Sequence, residues 1–136
     1  MKDLQQIPKE ARHLLKKLDI LKKDDDILAI TLFGSFARNE PYSDIDVCIV
    51  LNRKLTNLEM SRKRLKYQTL VSEPFDIQIF QQLPLYIRMR VLKEGVLYFC
   101  RDLDKLHDIA YRTIKDFVYF ERYYRYHLEA IVDENR

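Results

Sequence analysis

Gly34-Ser35 and Asp44-Ile45-Asp46 are the residues of this chain whose types and spacing could hold a phosphate and a divalent cation. Two aspartates at i and i+2 where a strand begins project both carboxylates to one face and leave Ile45 and Val47 for the other. Like charges side by side repel unless a cation neutralises them, and hard oxygen ligands at this spacing suit Mg²⁺ shared with a substrate phosphate. Ser35 opens a short helical turn, Phe36-Ala37-Arg38, whose first amides point outward unpaired, so Gly34-Ser35 is a candidate phosphate cradle. The chain has only 2 glycines. One of them ends a hydrophobic run, which signals a turn or a close approach that a Cβ would obstruct.

The elements that must position these groups follow from hydrophobic patterning. The apolar runs Ile27–Phe33 and Ile45–Leu51 read as two buried strands with polar chemistry at their junction. Residues 75–80 alternate, with Phe75, Ile77 and Ile79 on one side and Asp76 and Gln78 on the other. If that strand lies beside Ile45–Leu51, Asp76 lands next to Asp44 and Asp46 and completes a carboxylate triad. Pro8, then Ala11, Leu14, Leu15 and Leu18 at helical spacing, predict a helix over about 8–22. Lys23-Asp24-Asp25-Asp26 breaks that pattern and reads as a solvated turn. Thr56 with Glu59 three residues on is a capping box, which predicts a helix from Asn57 to Val71. Six bases and one acid between Arg53 and Lys66 read as a solvated helix face, the alternative being a patch that attracts a triphosphate or polyanion. Pro84 opens another helix that Gly95 ends, and Val96–Cys100 is a short last strand.

Phe33-Gly34-Ser35, eight further residues, then Asp44-Ile45-Asp46-Val47 resembles the signature of the DNA polymerase β-like nucleotidyltransferase superfamily. The run Phe33-Gly34-Ser35-Phe36-Ala37-Arg38 in so short a chain resembles its minimal nucleotidyltransferases most. The resemblance covers roughly residues 10–100. Asn39 stands where a glycine is common, and Asn tolerates left-handed backbone angles better than most residues. The resemblance implies an α/β nucleotidyltransferase fold, a small mixed sheet of about four strands flanked by helices. It implies that Gly34, Ser35 and Arg38 meet the nucleotide's phosphates, that Asp44 and Asp46, with Asp76, bind two Mg²⁺, and that Asp76 deprotonates the acceptor hydroxyl. It further implies a Mg²⁺-dependent protein adenylyltransferase that moves AMP from ATP to a tyrosine of a cognate HEPN ribonuclease toxin, as its antitoxin and in a hetero-oligomer. A small acceptor such as an aminoglycoside, or an antitoxin that binds without catalysis, are the alternatives.

The remaining sequence agrees with a small single-domain enzyme spanning 1–136. Its 136 residues are 47% hydrophobic and 33% charged, ordinary for a globular chain. No stretch reaches the ~20 apolar residues of a membrane helix. No export signal opens the sequence, so the cytoplasm is the expected location. Cys48 and Cys100 lie in apolar runs and read as buried free thiols. The net charge of +3 is too small to argue for nucleic acid. Residues 102–132 predict one long helix, and seven of the chain's sixteen aromatics fall between Tyr111 and Tyr126, interleaved with Arg112, Arg122 and Arg125. Tyr and Arg are enriched at protein interfaces, which makes this helix a candidate partner surface.

Overall fold

The computed structural model describes residues 1–135. Five strands form one mixed sheet in the order β1-β5-β2-β3-β4: β1 Lys2–Asp3, β2 Ile27–Phe33, β3 Ile45–Leu51, β4 Phe75–Ile79 and β5 Val96–Cys100. The two-residue β1 is the addition to the four strands expected, pairing parallel to β5. β2 runs antiparallel to both β3 and β5, and β3 runs parallel to β4. β2 is buried along almost its whole length. A strand covered on both faces has no reason to alternate, which is why its sequence is a continuous apolar run.

Alternation along β3 and β4 sets what faces where. Ile45, Val47, Ile49, Phe75, Ile77 and Ile79 pack under the N-terminal helices and Tyr67 and Val71 of α3, Asn57–Val71. Cys48 and Val50 face the other side, toward Phe80, Val91 of α4 (Leu85–Glu94) and Leu106 of α5 (Leu103–Glu134). By the period of two, Asp46 and Asp76 belong to this second face. The only other helix needed for the site is α2, Gly34–Ala37, at the end of β2.

The first helical region differs from expectation. α1 covers Lys9–Leu15, with Pro8 just ahead of it, and gives way to a tighter 3₁₀ segment over Lys16–Lys23. The reason is the spacing Leu15, Leu18, Leu21, all buried. A repeat of three keeps one face squarely toward the core at three residues per turn.

Asp24 and Asp26 are not the solvated turn the sequence suggested. Lys63 reaches both at 2.9 and 2.8 Å, Arg53 meets Asp26 at 2.7 Å, and the Tyr67 hydroxyl donates to Asp24 at 2.7 Å. Hydrogen bonds from Arg53 and Lys63 hold the Asp26 carboxyl down at about 2. These acids absorb much of the charge between Arg53 and Lys66, so that segment is neither a free polyanion patch nor a fully solvated face. Arg64 and Gln68 are also occupied. The Gln68 amide donates to Phe75 O at 2.6 Å and accepts from Ile77 N–H at 2.8 Å, while Arg64 donates to Ile77 O at 2.9 Å. α3 thus covers the outer edge of β4, which would otherwise offer a row of unpaired backbone groups.

Two features bear on partners. Leu106 and Thr113 of α5 are buried, whereas every residue of the helix from Val118 on is exposed. At ~1.5 Å per residue its 32 residues extend ~48 Å, so the second half projects beyond the sheet. Among the described residues no helix is long and apolar enough to cross a membrane. Cys48 and Cys100 are both free thiols; Cys48 is buried as expected, Cys100 only partly.

Candidate active site

The register of the sheet gathers the acids. Phe33 stands opposite Asp46 on β2 and β3, and Asp46 stands opposite Asp76 on β3 and β4. Neighbouring strands lie ~4.8 Å apart, so the two carboxylates are side by side on one face. Asp44 sits one residue ahead of β3 and is exposed. The sequence reading set the pair where the strand begins, with both carboxylates on one face, and the structure has Asp44 in the loop just ahead of it. Burial first, then the charges of Asp76 and Asp44, push the Asp46 carboxyl above its ordinary value, with Arg38 opposing.

Gly34 follows Phe33 directly and has φ +73°. Side chains rarely adopt that backbone, and here a Cβ would also run into Oδ2 of Asp46. Both requirements come from the same geometry: the chain turns sharply off β2 into α2 across the top of the acid. No side chain caps the first turn of α2, which leaves its leading amides open. The loop back to β3 passes through Asn39 at φ +57°, the left-handed conformation its residue type accommodates.

Gly34, Ser35, Arg38 and Asp46 line one wall of a cleft of about 240 Å³, and Ile87, Arg90 and Glu94 of α4 line the other. Arg38 is held by Glu40 at 3.2 Å and by Glu94 at 3.6 Å. Arg90 is in no ion pair among the described residues. Sequence reading missed Arg90 because nothing local marks it. Its helical spacing with Ile87 and Glu94 defines a face, but that the face meets Gly34 is a property of the packing alone. Gly34, Ser35, Arg38, Asp44, Asp46 and Asp76, all singled out from sequence, are brought to one end of the sheet.

The chemistry of this donor set fits a divalent cation. Burial and then the neighbouring carboxylates disfavour the charge on Asp46, and a cation relieves the repulsion. Among the described residues no three acidic, histidine or cysteine side chains already converge closely enough to hold a metal unaided. Phosphate oxygens of a substrate would have to complete its coordination.

Comparison with known proteins agrees with this geometry. Residues 16–104 match the profile of the polymerase beta nucleotidyltransferase family. A protein of Methanocaldococcus jannaschii provisionally named a protein adenylyltransferase is 38% identical over 80 residues, which are 57% of this chain and 60% of that relative. The match therefore spans less than two thirds of the relative's length. Among solved structures, a chain of a toxin–antitoxin complex with AMP-PNP superposes with a TM-score of 0.62 at 19% identity, over 90% of this chain and 95% of the other. A chain from the complex of a tri-AMPylated Shewanella oneidensis HEPN toxin with its MNT antitoxin gives 0.58 at 21% identity, over 88% and 95%. At these identities the superpositions establish the fold. With about two thirds of its length inside the matched profile, and with the strand, Gly-Ser turn and paired acids in place, this chain belongs to the polymerase beta nucleotidyltransferase family.

Proposed function

We propose that this chain transfers AMP from ATP, with Mg²⁺, to a tyrosine hydroxyl of a cognate HEPN toxin and so acts as its antitoxin. The observation that carries the reading is the pairing of Asp46 with Asp76 beside the Gly34-Ser35 turn. The name of the Methanocaldococcus jannaschii relative and the toxin–antitoxin complexes that share the fold support it.

In this reading the open amides of Gly34 and Ser35 bind triphosphate oxygens. Arg90, in no ion pair among the described residues, meets the same charge from α4. Arg38 shapes the wall from its position between Glu40 and Glu94 and lends positive potential to Asp46. Asp44, Asp46 and Asp76 are the residues that would hold Mg²⁺, which supplies charge neutralisation on the triphosphate and polarises the attacking hydroxyl. Asp76 accepts the hydroxyl proton as the tyrosine oxygen bonds to the α-phosphorus, and the bond to the bridging oxygen breaks to release pyrophosphate. The projecting half of α5 offers the surface on which a protein acceptor is held.

The test is incubation with Mg²⁺, the toxin encoded beside this chain, and ATP labelled at the α-phosphate. Label should reach a toxin tyrosine and depend on Mg²⁺; transfer of γ-label instead would overturn the reading. Gly34→Val should weaken ATP binding roughly tenfold or more, about 1.4 kcal/mol. The branched side chain meets Asp46 and blocks the backbone from the phosphates. Calorimetry showing undiminished affinity would contradict the cradle.

A further inference from the structure

A groove of about 670 Å³ lies between α4, α5 and the segment joining β3 to α3, and the site described above does not use it. Leu55, Met60 and Ile109 give it an apolar lining, and Lys54, Arg88, Lys105 and Arg112 stand around it with Asp108 and Asp116. Arg53 also lines the groove but is taken by Asp26, and elsewhere Lys63 is held by Asp24 and Asp26, Arg101 by Asp25 and Arg125 by Glu121. Among the described residues none of the four around the groove is in an ion pair. A cluster of unneutralised cations over apolar side chains suits a ligand that is acidic and carries an apolar anchor.

The groove and the catalytic end of the sheet share one strand. Leu28 and Phe80, which lie in it, belong to the sheet face that carries Cys48 and Val50, and Asp46 is on that face by alternation. From Asp46 to Val50 is four residues of extended chain, ~13 Å. Along α5, the groove residues Lys105, Asp108, Ile109, Arg112 and Asp116 follow helical spacing. Carried forward, the same spacing reaches Tyr119, Tyr123 and Tyr126, exposed by 74, 57 and 71%. The groove and the tyrosine stripe follow one face of α5, and the groove lies at the Leu51 end of β3, the opposite end of the strand from Asp46, with Cys48 and Val50 buried between them.

Resting on the adenylyltransferase reading, we infer that this groove docks an acidic, apolar-anchored segment of the protein acceptor, holding the acceptor on the chain while its hydroxyl reaches Asp46 and Asp76 at the other end of the sheet. A nucleic-acid strand suits it less. Its lining is aliphatic rather than an open aromatic platform, and Asp108 and Asp116 repel a continuous phosphate backbone.

The probe is a short fluorescein-labelled peptide of Glu and Leu around one Tyr, with a counterpart in which Lys replaces Glu. In low salt the acidic peptide should bind the full chain and the Lys peptide should bind roughly tenfold or more weakly. Lys105→Glu with Arg112→Glu should weaken the acidic peptide by a similar factor of roughly ten and raise its KM as acceptor, with kcat and ATP affinity unchanged. If the reversal variant melts early, Lys105→Gln with Arg112→Gln should show the same direction of change. Failure of the acidic peptide to bind, equal binding of both peptides, indifference to the substitutions, or tighter binding of a single-stranded RNA of equal length would each overturn the groove. Charge-dependent peptide binding without any AMP transfer by the wild type would leave the groove standing and sink the adenylyltransferase reading instead.

Discussion

Replacing both leading acids, Asp44→Ala with Asp46→Ala, should abolish Mg²⁺-dependent AMP transfer and leave the sheet intact. Each lost carboxylate removes stabilisation of charge developing on the phosphates, an effect that reaches several kcal/mol, or roughly 10³-fold in rate. Stability should move the opposite way. The Asp46 carboxyl is raised by burial and by Asp76 and Asp44, so its charged form is less favourable in the folded chain than in the unfolded one. For a raised acid the penalty is absent below the unfolded value and grows as pH rises through the folded one. At neutral pH, without divalent cations, Asp46→Asn should therefore melt higher than the wild type. Mg²⁺ with ATP should raise the wild-type midpoint and leave that of the double variant unmoved. Full transfer activity in the double variant would end the enzymatic reading. A lower melting temperature for Asp46→Asn would show that Asp46 holds the fold rather than straining it.

That opposition between stability and chemistry explains what could be read before any coordinates. Gly34, the Asp44 and Asp46 pair and Asp76 are legible because each breaks a local rule: a rare glycine at the end of a strand, acids where a buried strand begins, an acid on an alternating strand. Their convergence needed only that β4 lie beside β3. β2 and β3 were legible because burial leaves a nearly uninterrupted apolar run, β4 because it alternates, and the helix over Asn57–Val71 because Thr56 and Glu59 cap it reciprocally. What escaped depends on contacts distant in sequence. Asp24 and Asp26 look solvated until Lys63 and Tyr67, some 39 and 43 residues on, reach back to them. Arg90 is an unremarkable helical arginine until α4 packs across from Gly34. The change from α1 to a 3₁₀ segment was present in the spacing of Leu15, Leu18 and Leu21, but a repeat of three is also compatible with a loosely amphipathic α-helix, and only the packing selects between them.

The tail carries the second large effect. Tyr119, Tyr123 and Tyr126 are exposed on the projecting half of α5, and their ring contacts are local: Tyr123 and Tyr126 both approach His127 on the same helix, at 4.2 and 5.7 Å between centroids. None of the three supports the sheet. Changing all three to Ser should therefore leave the melting temperature and ATP affinity of the isolated chain nearly unchanged, since surface substitutions away from packed features shift stability by only ~0.5 kcal/mol. Binding of the toxin should collapse. Aromatic rings at the centre of an interface commonly contribute ~2 kcal/mol or more each on truncation, so three move affinity by several orders of magnitude even with imperfect additivity. Two measurements on the same variant separate the outcomes: thermal melting of the chain alone, and pull-down of the HEPN toxin proposed as its partner. A variant that melts normally and loses the toxin supports α5 as the partner surface. One that melts early would mean that the helix folds back against its own domain. One that melts normally and still captures the toxin would refute the assignment of this stripe, and the acidic-segment groove at the root of α5 would then have to hold the acceptor without it.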